Sequence, residues 1–111
     1  MRLLYEKGSP IVEVLVSGPK GSLRYRGYLD TGSSWASVKP EDVEKLGLEH
    51  IGAMPIYTAA GNLIVKLYLS KVTFLDREFE TTVFPLPIPA EHGFDCLIGM
   101  SIMRHFKVTL R

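Results

Sequence analysis

A carboxylic acid followed by small hydroxyl residues and a glycine is the first place in this sequence that could do chemistry. The tract is Tyr28-Leu29-Asp30-Thr31-Gly32-Ser33-Ser34, in which a strand-like alternation ends in Asp30 and a flexible turn follows. This order holds the Asp30 carboxylate at the tip of a rigid element. Gly32 lets another backbone approach closely, and the neighbouring hydroxyls can donate to the carboxylate or brace the turn. On its own, the tract fits an ordinary turn equally well.

A second tract lies far along the chain. It is Phe94-Asp95-Cys96-Leu97-Ile98-Gly99-Met100-Ser101-Ile102-Met103, an apolar strand pattern that runs into Gly99 and then a short helical pattern. By itself this is an ordinary buried strand with a glycine at its exit. Its Cys96 is a possible nucleophile, but a free cysteine in an apolar strand is usually an inert core residue.

Metal or cofactor chemistry has little support in the sequence. A single cysteine excludes an internal disulfide and any multi-cysteine zinc or iron–sulfur site. The histidines, His50, His92 and His105, show no H-x-x-x-H or mixed Cys/His spacing. We therefore predict no metal and no cofactor. Trp35, which directly follows the first tract, is interpreted as a core residue or as the wall of a substrate subsite.

The elements that must position these tracts are short strands separated by turn residues. Alternation and β-forming residues predict strands over 11–17, 23–30, 35–38, 56–60, 63–69, 71–75, 78–84, 94–98 and 106–110, with hairpin turns at Gly61-Asn62 and Asp76-Arg77. Lys39–Gly47 has Pro near its start, acids in its first turn and Gly past its end, which predicts a short helix. Gly99–His105 could hold another helix. Pro85–Pro89 is excluded from a central strand because three of its residues lack an N–H donor.

Length and composition indicate one globular domain over residues 1–111, and the strand pattern above makes it mainly β. Hydrophobic residues make up 46% of the chain and charged residues 23%, an ordinary mixture. Thirteen Lys and Arg against twelve Asp and Glu give a net charge of +1, which argues against a nucleic-acid partner. No apolar run approaches the roughly 20 residues that span a bilayer, and the first residues lack the apolar stretch of a secretory signal. We expect a cytoplasmic protein without a membrane partner.

Together, the two tracts resemble the sequence motifs of the retropepsin-like aspartic proteases. Leu29–Ser33 matches the family's apolar-apolar-Asp-Thr/Ser-Gly loop, and Leu97-Ile98-Gly99 matches its later apolar-apolar-Gly segment, which leads into a helix. Between them, Ile56–Asn62 looks like the Thr-Ala-x-Gly flap of prokaryotic members, and 102–110 is similar to the closing helix and strand. The sequence departs from viral members at Ser33-Ser34, which is closer to the pepsins, and in a flap with one glycine.

The resemblance implies a mainly β, closed retropepsin-like β-barrel with one or two short helices, a flap hairpin and a dimeric assembly. It implies that Asp30 is the catalytic acid, that Thr31 braces the paired loops across the dimer interface, and that Gly32 keeps the cleft floor open. Ser33 would donate to the outer oxygen of Asp30. The flap would cover a polypeptide substrate held as an extended strand, and the implied substrate-binding residues are Ser33, Tyr57, Thr58, Ala59, Ala60 and Gly61.

Chemistry of this kind needs two facing carboxylates, and the chain has one acid in a suitable loop. Asp42 lies in a helix-like segment, Asp76 in a charged turn, and Asp95 lacks the following Thr-Gly. The sequence therefore predicts an aspartic endopeptidase in which the Asp30 residues of two identical subunits meet at an isologous interface.

Two other interpretations stay open. One is a catalytically inactive dimer of the same fold that binds peptides or acts as a scaffold. The intact Asp30, Thr31 and Gly32 favour the enzyme, since an inactive relative would be free to lose any of them. The other is a small β-barrel in which the matches are accidental. For a dimer, Met1–Tyr5 and Lys107–Arg111 are candidates for an interchain sheet.

Overall fold

Strands dominate the part of the chain that the structure describes, which is residues 2–3, 11–30, 32–105 and 107–108 of a computed structural model. The elements are β1 (Arg2–Leu3), β2 (Ile11–Gly18), β3 (Gly21–Leu29), β4 (Ala36–Val38), α1 (Pro40–Leu46), β5 (Glu49–Thr58), β6 (Gly61–Phe74), β7 (Arg77–Pro85), a 3-10 helix (Ala90–His92), β8 (Cys96–Ile98), α2 (Met100–Met103) and β9 (Lys107–Val108). The predicted mainly β class with short helices is confirmed. The predicted strands 63–69 and 71–75 are one long strand, β6, because Ser70 between them continues the pairing with β7.

The main sheet is mixed and has seven strands. Its order is β4-β7-β6-β2-β3-β8, and β5 pairs with the free half of β6. The pairs β3/β8 and β4/β7 are parallel, and the hairpin pairs are antiparallel. Closure into a barrel is not confirmed, because the backbone ladder among the described strands begins at β4 and ends at β8. These two edge strands are joined by a side chain instead, since the Leu97 amide donates to Ser37 Oγ over 2.7 Å.

The core is built from buried side chains of the strands of this sheet and of the two helices. Alternate residues of β2 and β3 point inward, as Val14, Val16 and Tyr25 show with exposed fractions of 1–2%. The other fully buried apolar side chains come from β4, α1, β6, β7, β8 and α2, and they include Val38, Leu46, Val72, Phe74, Val83, Ile98 and Ile102. A fully buried side chain of this size contributes roughly 1.5–3 kcal/mol, so the core is a firm support for the loops at its edge.

Both predicted hairpins form, but each turn lies earlier than predicted. The β5–β6 turn is Ala59-Ala60, flanked by the pair Thr58 and Gly61, rather than Gly61-Asn62. Gly61 begins β6 with a φ of +121°, which residues with a Cβ rarely adopt. The β6–β7 turn is Leu75-Asp76, with φ of +53° and +64°, rather than Asp76-Arg77. Positive φ at both central residues matches the twist of paired strands, and the backbone meets this demand here without the usual Asn or Gly.

Helix α1 forms where its sequence predicts, and one of its acids has an unpredicted role. Gly47 ends the helix in the left-handed conformation, with φ of +67°. Asp42, in the first turn, is buried and accepts a hydrogen bond from the Tyr25 hydroxyl. That hydroxyl also accepts from the Lys39 amide over 3.0 Å, and Lys45 Nζ lies 3.7 Å from Asp42 Oδ1. The carboxylate therefore joins α1 to β3 and is not a solvated helix-start residue.

The two terminal strands pair with each other in one chain. β1 and β9 are parallel, with Arg2 opposite Lys107 and Leu3 opposite Val108. The remaining residues of the segments predicted to form an interchain sheet lie outside the described part, so that sheet stays a prediction. Within the described residues, no helix is long and apolar enough to cross a membrane.

Candidate active site

Asp30 lies directly after the end of β3, where the fold brings the two tracts of the sequence together. β3 runs parallel to β8, with Leu29 opposite Ile98. The Asp30 amide then donates to the Ile98 carbonyl over 3.0 Å, which continues the pairing by one residue. The backbone that carries the carboxylate is thus fixed to a buried strand from the far end of the chain.

The turn after Asp30 holds its carboxylate from the backbone. The Gly32 amide donates to Asp30 Oδ1 over 2.9 Å, and the Ser33 amide donates to the Asp30 carbonyl over 3.2 Å. The Asp30 side chain is half-buried and Gly32 is exposed. One carboxylate oxygen therefore has a fixed position at the surface of a rigid support. Thr31 lies outside the described residues, so its predicted bracing role is untested.

Gly99 allows α2 to pack against this turn. The Met100 amide donates to the Ser33 carbonyl over 2.8 Å, and the Ser101 amide donates to the Ser34 carbonyl over 3.0 Å. An ideal Cβ at Gly99 would lie 2.4 Å from the Trp35 carbonyl oxygen and 2.6 Å from that of Ser33. Only a residue without a side chain fits, which explains the glycine after the apolar strand.

Ser33 does not make its predicted hydrogen bond to Asp30. Its Oγ donates to the Trp35 carbonyl over 2.7 Å. A serine hydroxyl has one proton to donate, so that proton is not available to the Asp30 carboxylate. The hydroxyl stabilises the return of the chain toward β4 instead, and the expectation drawn from the pepsin-like Ser33-Ser34 is wrong in this structure.

The β5–β6 hairpin, which we call the flap ribbon, meets the site through Trp35. The Trp35 indole Nε1 donates to Met54 Sδ over 3.3 Å. Strand alternation places Met54 and Ile56, both half-buried, on one face of the ribbon and Tyr57, 75% exposed, on the other. Tyr57 thus faces away from the side that contacts Trp35, which does not support its predicted substrate-binding role. Ala59, Ala60 and Gly61 form the exposed tip, and the Thr58 side chain is not described.

Sequence reasoning missed Met54, because one methionine in an alternating strand carries no functional signal. The sequence points to Trp35, but the partner of Trp35 cannot be identified without the fold.

The histidines lie apart, each beside a different aromatic ring: His50 beside Tyr68, His92 beside Phe94 and His105 beside Phe79. In the part of the chain that the structure describes, no three His, Cys, Asp or Glu side chains form a group that could hold a metal.

Cys96 is a core residue of β8. Its side chain is fully buried, and burial raises the pKa of its thiol, with a smaller contribution from the neighbouring Asp95 carboxylate. A thiol that resists ionisation is a poor nucleophile. These facts support the interpretation of Cys96 as a structural core residue.

The free energy of unfolding should fall as the pH rises above about 8.5. Burial raises the pKa of the Cys96 thiol and of the Tyr25 phenol in the folded protein, whereas in the unfolded chain they lose their protons near about 8.5 and 10. The unfolded state then binds fewer protons than the folded state, so unfolding becomes easier by up to about 1.4 kcal/mol per pH unit for each group. Urea unfolding at a series of alkaline pH values measures this slope.

The variant Cys96→Ala separates the two contributions. It removes the thiol, so its unfolding free energy should change less between about pH 8.5 and 10 than that of the wild type. Above about pH 10 both proteins should lose stability, because Tyr25 is present in each. Equal slopes in the lower interval would contradict the buried, protonated state of Cys96.

Comparison with known proteins finds similarity in structure alone. No protein-family model matches the sequence, and no curated protein matches it. The solution structure of the Simian Foamy Virus (mac) protease has a TM-score of 0.63 at 19% identity, over 85% of this chain and 91% of that chain. The EIAV protease complexed with the inhibitor HBY-793 has a TM-score of 0.66 at 16% identity, over 98% and 99%.

A third similar structure is that of a much longer protein. The foamy viral protease-reverse transcriptase in complex with an RNA/DNA hybrid has a TM-score of 0.61 at 22% identity, over 88% of this chain and 12% of that chain. At 16–22% identity, the three likenesses establish which fold this chain has, and the chemistry must be argued from its own residues.

Proposed function

We propose that this chain, which has the fold of the retropepsin-like aspartic proteases, is an aspartic endopeptidase that acts as a homodimer. It would hydrolyse peptide bonds in extended polypeptide segments. The observation that carries the proposal is the position of Asp30: its amide is bonded to Ile98 and its carboxylate to the Gly32 amide. A carboxylate held in this way at the end of a parallel strand pair is preorganised for acid–base chemistry.

A second carboxylate has to come from a second chain. Asp42 is engaged by the Tyr25 hydroxyl. Asp95 accepts the Arg26 amide over 2.7 Å and lies 3.4 Å from Lys39 Nζ. Asp76 lies in the β6–β7 turn. Among the described Asp residues, Asp30 alone is followed by Thr-Gly in a turn at the end of a strand. Two-fold symmetry between identical chains is therefore the simplest source of the second carboxylate.

Two Asp30 carboxylates that face each other closely would share one proton, because the repulsion between two negative charges keeps both from being ionised at once. The ionised carboxylate would accept a proton from a water molecule held between the two carboxylates, and the water oxygen would attack the carbonyl carbon of the peptide bond. The protonated carboxylate donates a hydrogen bond to the carbonyl oxygen. The proton taken from water would then pass to the amide nitrogen as the C–N bond breaks, which leaves a carboxylic acid and an amine. Each role exists only when both subunits are present.

The flap ribbon would hold the substrate by main-chain hydrogen bonds. An extended peptide pairs with exposed backbone as an additional strand does. The ribbon tip, Ala59, Ala60 and Gly61, carries small side chains and is exposed. These small side chains would not select among peptide sequences, and we therefore assign general peptide binding to the tip.

Incubation of the purified chain with a diverse peptide library, from about pH 3 to pH 8, tests the proposal. Cleavage at internal peptide bonds is expected, and a peptide mimic with a hydroxyl in place of the scissile carbonyl should block it and raise the melting temperature. Binding of the mimic without any cleavage would support the alternative, a catalytically inactive dimeric peptide-binding module. The absence of both cleavage and binding would contradict both functions.

Specific activity should fall when the protein is diluted. Each active site requires two chains, so below the dissociation constant a tenfold dilution should lower activity per chain by about tenfold. Initial rates over a dilution series, with the mass of the species measured by sedimentation at each concentration, give the result. Constant activity per chain in a solution of monomers would rule out the shared site.

A further inference from the structure

Trp35 is fastened to the turn that carries Asp30. Its carbonyl oxygen accepts the Ser33 hydroxyl over 2.7 Å and lies against Gly99, where an added Cβ would be 2.4 Å away. Its backbone leads directly into β4, which is fully buried. The indole ring is therefore attached to a part of the molecule that has little freedom to move.

The flap ribbon, by contrast, has little support of its own. β6 pairs with β7 only from Tyr68 onward and with β2 only from Lys71 onward. Before these points, among the described strands, β5 and β6 pair only with each other. Its outer residues are exposed, with exposed fractions of 75% for Tyr57 and 72% for Ile64. A two-stranded ribbon is marginally stable by itself.

Met54 is where this ribbon meets the rigid part. It lies in β5 opposite Val65 of β6, on the half-buried face of the ribbon. Its Sδ accepts the Trp35 Nε1 proton over 3.3 Å, and thioether sulfur also packs favourably against aromatic rings. This contact lies nearer the ribbon tip than Tyr68, where the pairing of β6 with β7 begins. It therefore restrains the part of the ribbon that no other described strand pairs with.

We propose that Trp35 is a positioning residue, whose indole N–H holds the flap ribbon through Met54 and sets its place relative to the Asp30 turn. The inference rests on the proposed function, because a held ribbon matters for catalysis only if the ribbon covers a substrate. Trp35 is then neither a pure core residue nor only a wall of a subsite. It transmits the position of the Asp30 turn to the element that closes over it.

A positioning role for Trp35 predicts different effects on KM and on kcat. A ribbon without the contact samples more positions, and ordering it around a peptide then costs more free energy. KM should rise while kcat stays nearly constant, because the Asp30 carboxylates are untouched. If Trp35 only stabilised the fold, its replacement would lower the fraction of active protein. Apparent kcat would then fall and KM would not change.

The variants Met54→Leu and Trp35→Phe remove the acceptor and the donor with small changes in shape. Met103→Leu is the matched control, since it makes the same change at a buried site in α2. Loss of one hydrogen bond should raise KM by about two- to tenfold in the first two variants. Amide hydrogen exchange over residues 52–65 should accelerate by a similar factor. Met103→Leu should match the wild type in both measurements.

A spectroscopic measurement reports on the contact directly, because Trp35 is the only tryptophan of the chain. In Met54→Leu its emission should shift to longer wavelength, and acrylamide should quench it more strongly than in Met103→Leu. Unchanged ribbon exchange and unchanged emission in Met54→Leu would overturn the proposal, as would a fall in kcat at constant KM. A wild-type chain that cleaves no peptide would refute the proposed function alone, because exchange and emission still decide whether Trp35 restrains the ribbon.

Discussion

Replacement of Asp30 by Asn should abolish peptide cleavage and leave the fold intact. An amide side chain cannot accept a proton from water in the way that a carboxylate does, and each dimer would lose both of its acid–base groups. Removing such a group lowers turnover by roughly four orders of magnitude or more. Asn retains a side-chain oxygen that can accept the Gly32 amide, as Asp30 Oδ1 does now. The turn should therefore persist, and the melting temperature should stay within a few degrees.

Asp95→Asn is the matched control for this experiment. Asp95 lies in the second of the two sequence tracts and, like Asp30, accepts a backbone amide, that of Arg26, over 2.7 Å. Asn can replace that bond, and the variant should retain cleavage. Steady-state kinetics on one peptide, with circular dichroism and sedimentation on each protein, make the comparison. Turnover near the wild-type rate in clean Asp30→Asn protein would end the proposed mechanism.

Gly99→Ala should damage the site without touching any group that does chemistry. The added Cβ would lie 2.4 and 2.6 Å from two backbone carbonyl oxygens, those of Trp35 and Ser33, and backbone cannot turn aside as a flexible side chain can. Either α2 or the Asp30 turn has to move. Overpacking of this kind costs about 1–3 kcal/mol of stability, and a misplacement of about 1 Å at reacting groups costs about a hundredfold in rate.

Gly52→Ala is the corresponding neutral substitution. An added Cβ at Gly52 meets nothing within 4 Å, so its stability should change by no more than about 0.5 kcal/mol. Urea unfolding of both variants and the kcat of Gly99→Ala test the contrast. Equal stability in the two variants, with full activity in Gly99→Ala, would show that the close packing of α2 on the Asp30 turn is not required.

The parts of the fold that the sequence predicts best are those with local signals. Helix α1 has Pro40 at its start and Gly47 at its end, and the apolar tract before Gly99 forms a strand, β8, within the predicted range 94–98. The sequence predicts both hairpins, but it predicts each turn later in the chain than the turn that forms. Ala59-Ala60 carries no turn signal, and Leu75 adopts a positive φ that its type disfavours. At these turns the register of the long paired strands outweighs local preference.

The contacts that the sequence could not predict join residues that are distant along the chain. Asp42 has the type and place of a solvated helix-start acid, and only the packing of α1 on β3 brings it to the Tyr25 hydroxyl. The Trp35 contact with Met54 likewise depends on how the ribbon folds back. For Ser33, the pattern of a related loop suggested the wrong acceptor, because a hydroxyl donates to whichever carbonyl the backbone presents to it.

The bond from the Leu97 amide to Ser37 Oγ has a mechanical consequence. It is a side-chain link across the gap between the first and last strands of the sheet, whereas neighbouring strands elsewhere are held by repeated backbone bonds. Separating β4 from β8 would therefore break no backbone ladder among the described strands. Because the Asp30 amide is bonded to Ile98 of β8 and Trp35 directly precedes β4, a small widening of this gap would shift the carboxylate and the indole relative to each other.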